Sequence, residues 1–405
     1  MTPGISPATE RTPRFSTSVS ANARLRELVD RGARILPLLV DRPTASGLDS
    51  DAPPALGHVG RAGVAVDSID DMRVLLSGIP LDRVSLSLDV DAAAAPLILL
   101  YQLVAEEHGV PAARLRGSVR GDVLKEFIAP GGTCLFPPAP AMRLTRDVLR
   151  YCRISLPRWD VLSVCGHDLA EAGADPAQEV AFALTNGIAY VRTAVSAGVN
   201  ADTFVPGLTF CLSDGGSRTE VLAKFRAARR IWTRAVHEQF GPDRAGRTGP
   251  RPGGPSPRSA PPPRGGRPWR RADASREIEA AAVALMDSIE RLGGAVRAVE
   301  RRFQSTILPG TGHPPGPSGP FGMEARGDEA RAAHRGQSER LAKLRAWRVQ
   351  SAVDDALARL AEAARGDGNV MFPMRSALAA SATVGEICGT LRGVWGSHPP
   401  RAARP

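Results

Sequence analysis

The stretch SVCGHDLAEAG, Ser163 to Gly173, decides how the chain reads. The apolar run DVLSVCG (160–166) ends in the pair His167–Asp168, and a helical pattern begins directly after it. A strand that hands over to a helix predicts a parallel βα unit. In such folds the carboxyl end of the strand carries the chemistry, so His167 and Asp168 are the first candidate catalytic residues.

The same rhythm repeats outward from this point, between Ala21 and about Phe240. Strands are predicted at RILPLLV (34–40), VSLSLDV (84–90), LRGSV (115–119), DVLSVCG (160–166) and FVPGLTFCL (204–212). Helical patterns fall at 68–78, 95–109, 145–156, 176–198 and 218–241. Alternating strands and helices predict an α/β fold with a parallel sheet. Five such units fit an incomplete (β/α) barrel of the TIM type, whose closed form has eight. Helical patterns at 275–303, broken at Gly293–Gly294, then at 337–366 and 374–396, predict a helical C-terminal region that offers packing surfaces. The expected division is a disordered N-terminus (1–20), a partial barrel (21–243), a disordered Arg/Pro/Gly linker (244–274), a helical segment (275–308), a second disordered linker (309–336) and a C-terminal helical segment (337–398).

Composition narrows the class. The 405 residues are 43% hydrophobic and 23% charged, which suits a globular protein with a sizeable core. No apolar run is long enough to span a membrane. The N-terminal MTPGISPATERTPRFSTSVS has no apolar signal core, although its Ser/Thr-rich, acid-poor character leaves a transit-peptide alternative. The net charge of +10 rests on 52 basic residues, of which only Lys125, Lys224 and Lys343 are lysines. That arginine bias follows GC-rich coding, and the excess is concentrated in 244–275, so neither nucleic acid nor membrane is an expected partner. The linker's Arg residues and Trp269 read as a solvated segment. The five cysteines show no metal-ligand spacing and are odd in number, as in a reduced cytoplasmic protein with no metal site.

Longer matching stretches carry a resemblance. They are GLDSDAPPALGHVGRAGVAVDSIDDMRVLLSGIPLDRVSLSLDV, RGSVRGDVLKEFIAPGGTCLFPPAPAMRLTRDVLRYC and PRWDVLSVCGHDLAEAGADPAQEVAFALTNGIAYV. KFRAARRIW, IERLGGAVRAVERRF and ATVGEICGTLRGVWG add to them. The chain resembles the substrate-binding chain of the coenzyme B12-dependent acyl-CoA mutases, the methylmalonyl-CoA and isobutyryl-CoA mutase family. The resemblance implies a (β/α)8 barrel whose axis admits the CoA chain. It implies adenosylcobalamin as cofactor, and an isomerase reaction in which a radical rearranges the acyl-CoA carbon skeleton. Because no D-x-H-x-x-G cobalamin motif occurs here, the cofactor is expected only through a separate small subunit.

The departures from the family pattern fall on the positions that it assigns to the site. The family's S-x-S-G-Y-H becomes SVCGHD, which puts His167 on the Tyr position and Asp168 on the His that donates to the thioester carbonyl. A carboxylate accepts hydrogen bonds and cannot serve as that electrophile. If the pair continues the strand, His167 faces away from the position that Asp168 took over. In GSVRGDVLKEF, Arg120 and Gly121 stand for a Gln–Asn pair, and IAPGGT puts Pro130–Gly131 at a family Arg. In SLSLDVD, Ser85 and Ser87 are kept, while Asp89 and Asp91 replace neutral polar residues. Ser163 and Cys165 complete the expected substrate-binding set of Ser85, Ser87, Arg120, Ser163 and Cys165. The linker also stands where three further barrel units belong, from true deletion or from a shifted reading frame.

Three readings follow. The first is a catalytically degenerate member of the family, a pseudoenzyme. The second is an active two-component mutase subunit with an altered substrate, in which Arg120 clamps an anion and His167 is the electrophile. The third is a non-catalytic partner of an intact mutase chain or of a cobalamin-binding small subunit. Elsewhere, His58 reads as a loop residue, Asp49 and Asp51 as a turn, and Asp67, Asp70 and Asp71 as helix-start residues.

Overall fold

The computed structural model describes residues 17–61, 63–129, 134–241, 274–308 and 327–398. The expected linker 244–274, apart from Ala274, lies outside the described residues, as do Trp269, Pro130, Gly131 and most of 309–336.

Six short strands alternate with helices. They are β1 (Ile35–Leu39), β2 (Ser85–Asp89), β3 (Arg116–Val119), β4 (Trp159–Asp160), β5 (Ser163–Cys165) and β6 (Thr209–Cys211). β1 to β4 form a parallel sheet in chain order, and β5 pairs with β6 in parallel. The Ser163 N–H donates to the Arg120 carbonyl at 2.7 Å, so β4 and β5 are two pieces of one strand interrupted at Val161–Leu162. The result is a five-position parallel arc, an incomplete TIM-type barrel with a helical C-terminal region. Two residues at most separate Asp160 from Ser163, so the predicted strand 160–166 is a broken one that ends at Cys165.

Alternation along the strands divides two faces. Leu36, Leu38, Leu86, Leu88, Val119, Val164 and Phe210 are buried against the helices. On the other, concave face, Ser85, Ser87, Ser118 and Ser163 are only partly covered, and Ile35 is 66% exposed. The close fit of neighbouring strands shows at Gly117, where a Cβ would lie 2.2 Å from the ring of its registered partner Trp159. The predicted strand 204–212 is shorter than expected. Its first half is a helix, Ala201–Phe204, and a single turn, Val205–Gly207, because Pro206 has no N–H to give a ladder.

The helices follow their local signals. Ser68, Asp175, Ser217 and Thr383 each form a capping box with the residue three positions on. The helix Ala94–Glu107 buries twelve of its fourteen residues, as an all-round apolar helix must. It packs between the helices Ile69–Leu76 and Met371–Ala379. One continuous core joins the arc to the C-terminal helices Gln350–Arg365, Met371–Ala379 and Val384–Trp395.

Polar clamps reinforce that join. Arg143 donates to the carbonyls of Ala364 (2.6 Å) and Ala363 (2.8 Å), which a helix end leaves without partners. Asp49 accepts from the Thr383 hydroxyl at 2.6 Å and the Gly385 N–H at 2.7 Å, and it pairs with Arg345 at 2.8 Å. The GLDSDAP turn therefore holds a distant part of the chain. Two boundaries differ from expectation. A helix capped by Thr17 runs Ser18–Asp30, inside the span expected to be disordered to residue 20. A helix also covers Gly327–Trp347, where a linker was expected to 336, and Arg340 ties it to buried Asp71 at 3.0 Å.

Candidate active site at the mouth of the arc

The carboxyl ends of β2, β3 and β5 converge. β5 stops at Cys165 and the helix Gly166–Glu171 begins at once. Gly166 has no space for a Cβ, which would lie 2.6 Å from Leu212 Cδ2 and 3.2 Å from Glu179 Cγ. His167 and Asp168 are thus helical residues about 100° apart, and strand alternation does not decide where they point. This corrects the expected placement of the pair on the strand.

Asp168 turns to Lys125, whose Nζ lies 2.5 Å from Asp168 Oδ2 and 3.0 Å from Asp91 Oδ2. The Lys125 side chain is 7% exposed and Asp91 12%. Burial lowers the Lys125 pKa, but the carboxylates of Asp168 and Asp91 outweigh it and hold the ammonium well above its ordinary value. Burial pushes Asp91 up to about 8 against the opposing pull of Lys125. Arg120 is engaged in the same way. Its Nε lies 3.1 Å from Asp89 Oδ1, and one terminal nitrogen lies 4.0 Å from Cys165 Sγ.

Asp122 holds the base of this cluster. It accepts from the Cys165 N–H at 2.9 Å, the Tyr190 hydroxyl at 2.6 Å and the Lys125 N–H at 3.2 Å. Burial raises its pKa to about 6 against those hydrogen bonds. His167 belongs to a different neighbourhood. It is buried, and its Nε2 lies 3.1 Å from Glu171 Oε1, one turn along its own helix. That bond raises the imidazole pKa, against the effect of burial.

The five predicted substrate-binding residues share the concave side. Ser118 donates to Ser87 at 3.3 Å, and the Ser163 and Thr209 hydroxyls are 2.6 Å apart. Ser85 lies one pleat below Ser87 on β2. Cys165 is in register with Cys211 of β6. The residues not foreseen as a site are Lys125, Asp122, Tyr190 and Cys211. The signal for Lys125 was the LKEF segment beside two unusual acids at 89 and 91, but their pairing spans 34 residues or more. Among the described residues no group of three His, Cys, Asp or Glu is placed to hold a metal ion, and no helix is long and apolar enough to cross a membrane.

The sequence model of methylmalonyl-CoA mutase matches residues 9–248 and 323–397. The methylmalonyl-CoA mutase large subunit of Propionibacterium freudenreichii subsp. shermanii is 42% identical over 228 residues, covering 56% of this chain and 31% of the relative. Methylmalonyl-CoA mutase of Escherichia coli K12 is 40% identical over 222 residues, covering 55% and 31%. The large subunit of Streptomyces virginiae is 41% identical over 231 residues, covering 57% and 31%. The chain spans about a third of the length of the curated relatives it matches. With the parallel arc and its helical cover, these matches establish that the chain belongs to the methylmalonyl-CoA mutase family.

Proposed function

We propose that this chain is a family member in which acyl-CoA isomerisation is lost or strongly impaired. The observation that carries the reading is the self-pairing of charge at the mouth. The positions that differ from the family pattern are not scattered: Asp91 and Asp168 converge on Lys125, and Asp89 meets Arg120. A thioester carbonyl needs a hydrogen-bond donor aimed at the oxygen where charge develops. At the family's His position stands a carboxylate whose Oδ2 already binds an ammonium. His167 does not supply the donor, since its ring is buried against Glu171. An Arg120 anion clamp must first give up Asp89, which disfavours the altered-substrate reading.

The residues present do not fit a resident cobalamin. The family's cobalt-carrying motif needs an exposed imidazole, and His167, which follows β5 directly, is buried and paired with Glu171. We therefore assign any adenosylcobalamin to a separate subunit. The partner reading has one observation of its own: the concave face is open, with Ile35 exposed at its first strand. A cobalamin-binding subunit or an intact mutase chain is the partner that this family relationship suggests. All five cysteines are free thiols, which accords with a cytoplasmic setting.

The test is turnover. Purified chain is incubated with excess adenosylcobalamin, methylmalonyl-CoA or isobutyryl-CoA, and a candidate cobalamin subunit, and isomeric acyl-CoA is quantified by mass spectrometry. No product above the no-protein control is expected. Measurable multiple turnover overturns the proposal. Co-purification with an intact mutase chain supports the partner reading, and a lone monomer in the presence of both candidates counts against it.

A further inference from the structure

The mouth of the arc carries a thiol pair to which the mutase reading gives no redox role. Cys165 and Cys211 are registered partners on neighbouring parallel strands. Adjacent strands lie about 4.8 Å apart, inside the roughly 4.4–6.8 Å window of Cα separations that a disulfide spans. By strand alternation both side chains leave the same face of the sheet, and both are free thiols. Their settings differ. Cys165 is buried, whereas Cys211 is partly exposed on the concave side. The Arg120 guanidinium lies 4.0 Å from Cys165 Sγ, so a fixed positive charge faces the pair.

We propose that Cys165 and Cys211 form a peroxide-reactive dithiol, with Cys211 as the attacking thiol and Cys165 as the resolving one. The neighbouring Cys165 thiol, helped by Arg120 and opposed by burial, brings the Cys211 thiol down to about 7. Cys134, Cys152 and Cys388 are instead pushed up to about 12, chiefly by burial. The oxidant is a hydroperoxide. The Cys211 thiolate attacks one peroxide oxygen, the S–O bond forms as the O–O bond breaks, and the leaving oxygen takes a proton from water. Cys165 then attacks the sulfenic sulfur. The S–S bond forms, the S–O bond breaks, and the hydroxide leaves as water with the Cys165 proton. Two thiols are oxidised to one disulfide while hydrogen peroxide is reduced to two waters.

The geometry separates the roles. Cys211 is the partly exposed sulfur that a small oxidant can reach, and Cys165 lies buried beside it on the neighbouring strand. The bond formed would link β5 to β6 and cover the site of the Arg120 contact.

The experiment uses the full chain, treated with one equivalent of hydrogen peroxide, alkylated and mapped by mass spectrometry. A Cys165–Cys211 cross-link is expected, with Cys134, Cys152 and Cys388 recovered as alkylated thiols. At neutral pH a thiol near 7 is about half ionised, so alkylation of Cys211 should outpace the other three by at least about tenfold. Cys165→Ser should trap Cys211 as a sulfenic acid that dimedone labels, and Cys211→Ser should abolish the reaction. Circular dichroism of each variant checks the fold, and the wild-type map needs no variant. Oxidation of Cys134 ahead of Cys211, or conversion of Cys211 to sulfinic acid without a cross-link, overturns the proposal.

Discussion

Replacing Lys125 with methionine keeps the bulk of the stem and removes the charge that Asp91 and Asp168 share. The ion pair at 2.5 Å to Asp168 is worth about 6 to 7 kcal/mol of attraction at an effective dielectric of about 20, before desolvation is counted. Removing Lys125 leaves Asp168 without this counter-charge in a pocket where Lys125 itself is 7% exposed. Losses of about 3–5 kcal/mol follow when a buried pair is broken from one side. That is a large share of the about 5–15 kcal/mol that holds a typical domain folded. The assay is urea denaturation followed by circular dichroism, comparing midpoints at constant slope. The pH dependence supplies a second reading. Asp91 is already raised to about 8 by burial, and loss of Lys125 raises it further. An acid raised in the folded state contributes stability that is present below its unfolded value and is lost as pH climbs through the folded one. The deficit of Lys125→Met should therefore be larger at about pH 9 than at about pH 7, because wild-type Asp91 has ionised by then while the variant's has not. Adding Asp91→Asn and Asp168→Asn should recover most of it, because a neutral group of similar shape can replace a buried ion cluster at little net loss. A deficit under about 1 kcal/mol at neutral pH, or one that grows on acidification, refutes the buried-cluster reasoning.

Other outcomes follow from the same contacts. Gly117→Ala should cost about 1–3 kcal/mol by thermal or urea unfolding, because the new Cβ would lie 2.2 Å from the Trp159 ring and overpack the sheet face. Gly385→Ala should destabilise more than Arg345→Ala. Its Cβ would lie 2.5 Å from the Asp49 carboxyl carbon, whereas Arg345 is partly exposed and screened, worth about 1 kcal/mol. Asp41 and Asp122 are both raised to about 6 by burial, so they favour the folded state most below about pH 4, and that contribution is lost as pH rises through about 6. Asp122→Asn should flatten this part of the stability–pH curve, measured as melting temperature in matched buffers. Asp168→His restores the family residue type but leaves Lys125 facing Asp91 and the concave face open, so isomerase turnover should stay undetectable in the assay above.

Much of the secondary structure was legible because its causes are local. Ser217 and Glu220, or Thr383 and Glu386, cap a helix across three residues, and a reader of the chain sees both partners at once. The apolar run from Leu97 to Leu100 marks a helix buried on every side. Pro206 shortened a strand by a local mechanism that the apolar pattern alone had hidden. The site was less legible. His167 and Asp168 stand side by side in the chain, and the helix that starts at Gly166 sends one to Glu171 and the other to Lys125. The handover point depends on Gly166 fitting against Leu212 and Glu179, which the stretch itself does not contain.

By itself the sequence determined the family and the order of the five strand positions, and it singled out the residues read as alterations. These depend on motifs and periodicities read within short windows. Only the tertiary structure decided that the alterations form one paired set, that the GLDSDAP turn clamps the C-terminal helices, and that Cys165 meets Cys211. Parallel strands join residues 31 to 50 positions apart through crossovers whose register is set by packing. Whether a charge in the sequence is a solvated ion, a ligand or half of a buried pair depends on that register. The SVCGHD stretch carries the mark of its family in its letters, and the meaning of its last two residues lies in Glu171 and Lys125.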